Sequence, residues 1–218
     1  MDDSLHRYAE NRRKKDAAES YSTKYERYWH KRRSDARERA VIARALSLVA
    51  PPQRILDMPC GAGRLTEELL RFDTAEIHAC DYSEEQLKIC GERHKNSNVT
   101  CQRASCFELP FPDDHFDLSF SVRLSHHIGS REDRERYLVE LLRVSRQNVV
   151  ATFFDTHSFK NRLRELRRRV RATKKRSKFT MSRDELHQIA TNHDWRVEAA
   201  IPISRLFSGH RYVVFSRS

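Results

Sequence analysis

A chain of 218 residues with 42 Lys+Arg, 31 Asp+Glu and a formal net charge of +11 at pH 7 suits one domain with a modest core, since 38% of it is hydrophobic and 33% charged. No apolar run approaches the ~20 residues of a membrane-spanning helix, and the opening Met1-Asp2-Asp3-Ser4 lacks the apolar region of a secretory signal. Five cysteines without a CxxC or CxxH pairing argue against a disulfide framework and a zinc site, so a reducing, cytoplasmic setting and no metal are expected.

Residues 5–46 read as helix: they contain no Gly or Pro and are dense in Lys, Arg, Glu and Ala. Tyr21, Tyr25 and Tyr28 share one face of it, with Trp29 beside them, and either close over a bound ligand, line a ligand pocket or pack against the body. Thirteen Lys/Arg against eight acids put +5 on residues 1–45. Pro51-Pro52 ends this helical extension, assigned to residues 1–48, and a domain over 49–218 follows.

From there strands and helices alternate. Arg54–Met58 is a short apolar strand that runs into Cys60-Gly61-Ala62-Gly63, and Leu65, Leu69 and Leu70 continue at helical spacing. Glu76–Asp81 is a second strand, then a helix over 84–94 is capped by Ser83 with Glu84 and Glu85 in its first turn. Val99–Ala104 and Phe116–Ser121 are the third and fourth strands. A helix follows over 131–144, then a strand over Asn148–Phe154 apolar enough for the sheet centre.

Residues 160–178 hold eleven Lys/Arg against Glu165 alone, a net +10, which leaves −4 on everything outside the two basic segments. Phe159, Leu163, Leu166 and Val170 form a narrow apolar stripe through this insert (about 157–180). Such a segment can lie on an anionic membrane, fork phosphates through arginines such as Arg167 and Arg168, or present a solvated basic face. A helix over 182–193 with a Ser182/Glu185 capping box comes next. Two final strands, about 195–201 and 211–216, are joined too tightly for a crossover helix and should pair antiparallel. The predicted fold is α/β: a doubly wound, seven-stranded, mostly parallel sheet with an antiparallel last strand and an N-terminal helical extension.

The site lies at the first strand-to-helix turn. Gly61 and Gly63 let a ligand approach the backbone beside free N–H donors. Asp57, at the carboxyl end of the first strand, would repel a pyrophosphate and receive an ammonium. Asp81, twenty residues after Gly61, suits ribose hydroxyls. Ribose and ammonium without pyrophosphate describe S-adenosylmethionine better than a dinucleotide. His126 and His127, after the fourth strand, either serve as a general base near neutral pH or cap and wall the following turn.

These residues resemble the class I, Rossmann-like S-adenosylmethionine-dependent methyltransferases. Residues 55–64, ILDMPCGAGR, look like their first motif, and Asp81-Tyr82-Ser83 like their ribose-binding acid. Ala104–Phe111, Pro112–Asp117 and Ser121–Ile128 are similar to the later motifs, so the resemblance spans about residues 50–155. It implies that Asp57, Cys60, Gly61 and Gly63 border the methionine part of the cofactor, Asp81 and Tyr82 the ribose, Ser105 and Cys106 the adenine, and Ser121 the sulfur side. Pro59 stands where many members have glycine, and Ser105 where an Asp often meets the adenine amine.

In that family the stretch after the fifth strand lies beside the acceptor entrance. The resemblance therefore makes Arg167 and Arg168 acceptor-side candidates, and Tyr21, Tyr25, Tyr28 and Arg123 are taken as acceptor-side candidates beside them. The expected acceptor is a small or lipid-linked anionic molecule methylated on oxygen or nitrogen, with peripheral contact to an anionic membrane. RNA is the second acceptor class, less favoured because no RNA-binding motif is visible. A third reading is a cofactor-binding partner protein without turnover.

Overall fold

The computed structural model describes residues 29–159, 161–163, 179–204 and 208–218. Helix α1 (Trp29–Leu46) precedes β1 (Arg54–Asp57), β2 (Glu76–Asp81), α2 (Glu84–Arg93), β3 (Val99–Arg103) and β4 (Phe116–Ser121). Then follow α3 (Arg131–Val144), β5 (Ser145–Phe154), α4 (Arg183–Thr191), β6 (Trp195–Pro202) and β7 (His210–Arg217). The seven strands form one sheet in the order β3-β2-β1-β4-β5-β7-β6. β1, β2, β3, β4 and β5 pair parallel, and β7 lies antiparallel between β5 and β6, as the short last connection requires.

Burial follows position in the sheet. All six residues of β4 are buried, whereas the edge strand β3 keeps no residue fully buried. Side chains alternate between two cores, as the period of two requires. Ile55, Leu118, Val150 and Val214 join Ile42, Ala45 and Leu46 of α1 on one face. Leu56, Val149, Phe153 and Val213 join Tyr137, Leu141 and Leu186 of α3 and α4 on the other. The second half of α1 is thus built into the body of the sheet. The strand order reverses between β1 and β4, so the loops that leave their carboxyl ends diverge to opposite sides of the sheet.

Three elements differ from the sequence expectation. The helix anticipated through Leu65, Leu69 and Leu70 is a six-residue 3-10 segment, Thr66–Arg71, closed by Phe72 N–H donating to the Leu69 carbonyl. It sits between a glycine turn and β2, where tighter i→i+3 bonds fit the short span. β5 starts at Ser145, three residues earlier than its apolar run, directly after α3. The buried Ser145 hydroxyl bonds both the Leu141 carbonyl (2.7 Å) and Ser119 Oγ (2.6 Å), which ends the helix and starts the strand at one residue. β1 ends at Asp57, although Met58 N–H still donates to the Phe120 carbonyl. The tyrosines at 21, 25 and 28, and Arg167 and Arg168 with most of the basic insert, lie outside the described residues. No helix among the described residues is long and apolar enough to cross a membrane.

Candidate functional site

Asp57, Asp81 and Ser121 end β1, β2 and β4, so parallel pairing brings all three to one rim of the sheet at the reversal point. The turn that follows β1 takes left-handed backbone at Gly61 (φ 55°) and Gly63 (φ 73°), and the Met58–Pro59 peptide is cis. Gly63 N–H donates to the Cys60 carbonyl (3.1 Å), and Cys60 N–H to the Cys80 carbonyl (2.8 Å).

Asp81 organises this turn. One carboxylate oxygen accepts the Gly61 N–H and the other the Ser83 N–H, both at 2.9 Å. It therefore ties the glycine turn to the N-terminus of α2, where Ser83 Oγ accepts the Gln86 N–H.

Asp57 is 2% exposed, and Thr66 Oγ1 donates to it over 2.5 Å. Burial pushes its carboxyl up to about 7; the Thr66 hydrogen bond works against that rise and the Asp81 charge adds to it. A carboxylate desolvated this far, next to a second one, is stabilised by an arriving cation.

Behind the turn, a methyl group at Gly63 would lie 2.7 Å from His94 Nε2 and 2.8 Å from Cys90 Sγ, so only glycine packs there. His94 Nε2 lies 2.8 Å from the Gly63 carbonyl oxygen. Cys60 and Cys90 belong to one small buried cluster, and a hydrogen bond to Cys90 followed by burial holds the Cys60 thiol well above its ordinary value. Burial likewise pushes the Cys106 thiol up to about 12. These thiols act as packing groups rather than nucleophiles. Ser105 forms a local bridge with Glu108 and accepts the Phe107 N–H, and the Arg103 guanidinium lies 5.1 Å from the Tyr82 ring centre.

Beyond β4 the chain turns through Arg123 (φ 67°), whose N–H donates to Thr152 Oγ1 at 2.7 Å. Its guanidinium forks onto Glu38 of α1 through Nε (2.8 Å) and Nη2 (2.7 Å). Arg64 reaches the same carboxylate at 3.0 Å, and the Tyr212 hydroxyl at 3.3 Å. Burial raises the Glu38 carboxyl, but Arg123 and Arg64 outweigh that, and the net result lies below the usual range.

The Ser121 hydroxyl is fully buried, 2.5 Å from the Tyr137 hydroxyl of α3. His126 and His127 lie on a 3-10 turn (Ser125–His127) with ring centres 4.0 Å apart. The His126 ring meets Phe154 edge-on at 4.7 Å, and Phe154 stacks on His210 at 4.8 Å.

The structure thus gathers the predicted Asp57, Cys60, Gly61, Gly63 and Asp81 into one turn. His126, His127 and Arg123 fall along the adjoining β4–β5 rim. Thr66, Gln86, His94, Glu38, Phe154, His210 and Tyr212 complete these surroundings and were not anticipated. Glu38 is one of two acids in the Arg-rich α1, and only its burial at 1% marks it out. Among the described residues, no group of three or more His, Cys, Asp or Glu side chains is arranged to hold a metal ion.

Residues 55–148 match the family model described as a methyltransferase domain. The 2-phytyl-1,4-naphtoquinone methyltransferase of Synechococcus elongatus is 30% identical over 117 residues, covering 51% of this chain and 49% of the relative. The ubiquinone/menaquinone biosynthesis C-methyltransferase UbiE of Ectopseudomonas mendocina is 31% identical over 134 residues, covering 52% and 51%. The chain therefore spans about half the length of the curated relatives it matches. In fold it is similar to the magnesium protoporphyrin IX methyltransferase (ChlM) of Synechocystis PCC 6803 with bound SAH. That likeness has a TM-score of 0.71 and 15% identity and covers 88% of both chains.

Proposed function

We propose that this chain, which carries a methyltransferase domain at residues 55–148 within a Rossmann-like fold, transfers a methyl group from S-adenosylmethionine to a small-molecule acceptor. The observation that carries the reading is the convergence of Asp57 and Asp81 on the Gly61–Gly63 turn at the sheet's reversal point. The residues fit the cofactor. Asp81 places a carboxylate, which ribose hydroxyls donate to, at the glycine turn it anchors, and Asp57 supplies a desolvated carboxylate for an ammonium. A bound pyrophosphate would meet the negative charges of Asp57 and Asp81.

The cofactor supplies an electrophilic methyl on a sulfonium, whose sulfur leaves as a neutral thioether. The protein's part is to align the acceptor in line with that methyl and exclude water. His127, with His126 beside it, stands at the end of β4 as the group that takes the acceptor's proton. An acceptor that is already a nucleophilic nitrogen needs alignment alone.

For the acceptor, the reading favours a small or lipid-linked anionic molecule. The net +10 of residues 160–178 supports the negative charge, and a relative named for 2-phytyl-1,4-naphtoquinone, with another named for ubiquinone/menaquinone biosynthesis, supports a small, lipid-linked molecule. Those names include a C-methyltransferase, so carbon joins oxygen and nitrogen as a candidate acceptor atom.

Calorimetry with S-adenosylmethionine tests the cofactor. Binding is expected in the parent protein and a loss of at least tenfold in Asp81→Ala; no binding by the parent sinks the proposal. Labelled methyl transfer into fractionated cell extract tests the acceptor, with label expected in the lipid or small-molecule fraction and not in RNA.

A further inference from the structure

Glu38 lies one helical turn before Ile42, on the face of α1 that carries the buried Ile42, Ala45 and Leu46. It continues that apolar stripe with a buried carboxylate. Packing alone would be served by an apolar side chain there, since replacing a buried ion pair by apolar groups of similar volume is often neutral or stabilising.

What the carboxylate does is join two loops. Arg64 directly follows Gly63 in the turn after β1, and Arg123 stands in the turn after β4, between Ser121 and His126. Glu38 Oε2 accepts from Nη2 of both, at 3.0 Å from Arg64 and 2.7 Å from Arg123. Its other oxygen accepts Arg123 Nε (2.8 Å) and the Tyr212 hydroxyl (3.3 Å). Arg123 makes its fork from left-handed backbone (φ 67°), which a residue other than glycine keeps only where its surroundings hold it. The β1–β4 ladder ends at Asp57 and Phe120, with one further bond from Met58 N–H to the Phe120 carbonyl. Beyond that point the two loops diverge, and α1 is the third element that ties them together.

We infer that Glu38 is a positioning residue: acting through Arg64 and Arg123, it fixes the separation between the glycine turn that receives the cofactor and the β4 turn that carries His126 and His127. The inference rests on the reading of the site as one for methyl transfer from S-adenosylmethionine. In-line transfer needs the sulfur, the methyl and the acceptor atom on one axis, and a displacement of about 1 Å between the two halves of such a site can cost about a hundredfold in rate.

Two measurements on the full chain test it. In hydrogen–deuterium exchange without ligand, Arg64→Met is expected to speed exchange about tenfold or more in the opposite turn, residues 122–128, and Arg123→Met to do the same in residues 58–64. In both cases the rise should exceed that in β2 and β5, and either variant alone suffices. Acceleration confined to the substituted residue's own turn, or no greater than in β2 and β5, overturns the inference. In the second measurement, Glu38→Asp keeps the charge on a side chain one methylene shorter. At saturating S-adenosylmethionine its transfer of label into the cell-extract fraction that the parent labels is expected to fall about tenfold or more, with affinity for S-adenosylhomocysteine within about threefold of the parent's. A merely structural acid would lower the unfolding midpoint and leave the rate of the folded variant unchanged, which overturns the inference, as does a loss of affinity equal to the loss of rate. If the parent binds no S-adenosylhomocysteine and labels nothing, the methyl-transfer reading falls, and the exchange experiment still decides whether Glu38 couples the two turns.

Discussion

The Thr66 hydroxyl donates to the Asp57 carboxylate over 2.5 Å, with both side chains buried, so the acid at the head of the site is held by a residue that follows the glycine turn. Asp57 is thereby fixed in place before any ligand arrives, and it remains a carboxyl that burial pushes to about 7.

This makes the stability of the protein pH-dependent through Asp57. Its folded value lies above its ordinary 3.8, so the folded state binds the proton more tightly than the unfolded one. The contribution is most favourable below about pH 4, falls as pH rises toward 7, and is level above that. Asp57→Asn keeps an oxygen for Thr66 and is expected to exceed the parent in stability at pH 8 by up to about 4 kcal/mol, and to match it near pH 4. Urea unfolding of both proteins at the two pH values checks it. The difference between the two curves isolates Asp57 from carboxylates such as Glu38, Asp117 and Glu140, which lie below their ordinary values and act with the opposite sign.

Glu38 is 1% exposed and receives Arg123, Arg64 and Tyr212. Glu38→Gln leaves two guanidinium groups facing a neutral amide, and a loss of about 3–5 kcal/mol is expected from breaking one side of a buried charge cluster. A loss below about 1 kcal/mol by urea unfolding at pH 7 would show that solvent reaches the cluster.

Gly61 and Gly63 should respond differently to alanine. Both pay for left-handed backbone, roughly 1–2 kcal/mol. A methyl group at Gly63 also meets His94 and Cys90 below 3 Å, while at Gly61 its nearest neighbour is 3.7 Å away. Gly63→Ala is therefore expected to cost about 2–4 kcal/mol and to unfold at lower temperature than Gly61→Ala. Equal midpoints in a thermal scan would contradict the packing argument.

Ser121 and Tyr137 share a buried hydrogen bond across the β4–α3 interface. Ser121→Ala strands the Tyr137 hydroxyl and is expected to cost about 1–3 kcal/mol, whereas adding Tyr137→Phe recovers part of that. A double-mutant cycle by urea unfolding with no coupling would refute it. Ser121 is then a support of the site's wall in its own right, beside the role at the sulfur side that the family resemblance implies.

The sheet was legible because its signals are local. The strands read at 76–81 and 116–121 coincide with β2 and β4, and Ser83 and Ser182 cap helices where a short side-chain oxygen can reach a free N–H. The turn of Asp57, Gly61, Gly63 and Asp81 was legible for the same reason, as two strand ends and the link after the first of them. Where a local pattern misled, a tertiary bond had intervened. Ser145 starts a strand in a polar stretch because its hydroxyl bonds Leu141 and Ser119. The helix anticipated around Leu69 is a 3-10 segment, tied at its start by the Thr66 bond to Asp57.

Glu38 and Arg123 stand 85 residues apart, and Phe154 and His210 belong to different strands. The sequence by itself determined the order of elements and the chemistry at the strand ends, since both depend on neighbours a few residues away. The tertiary structure alone decided which charges are buried together and how far Asp57 is desolvated, because desolvation and pairing depend on the packing of distant segments.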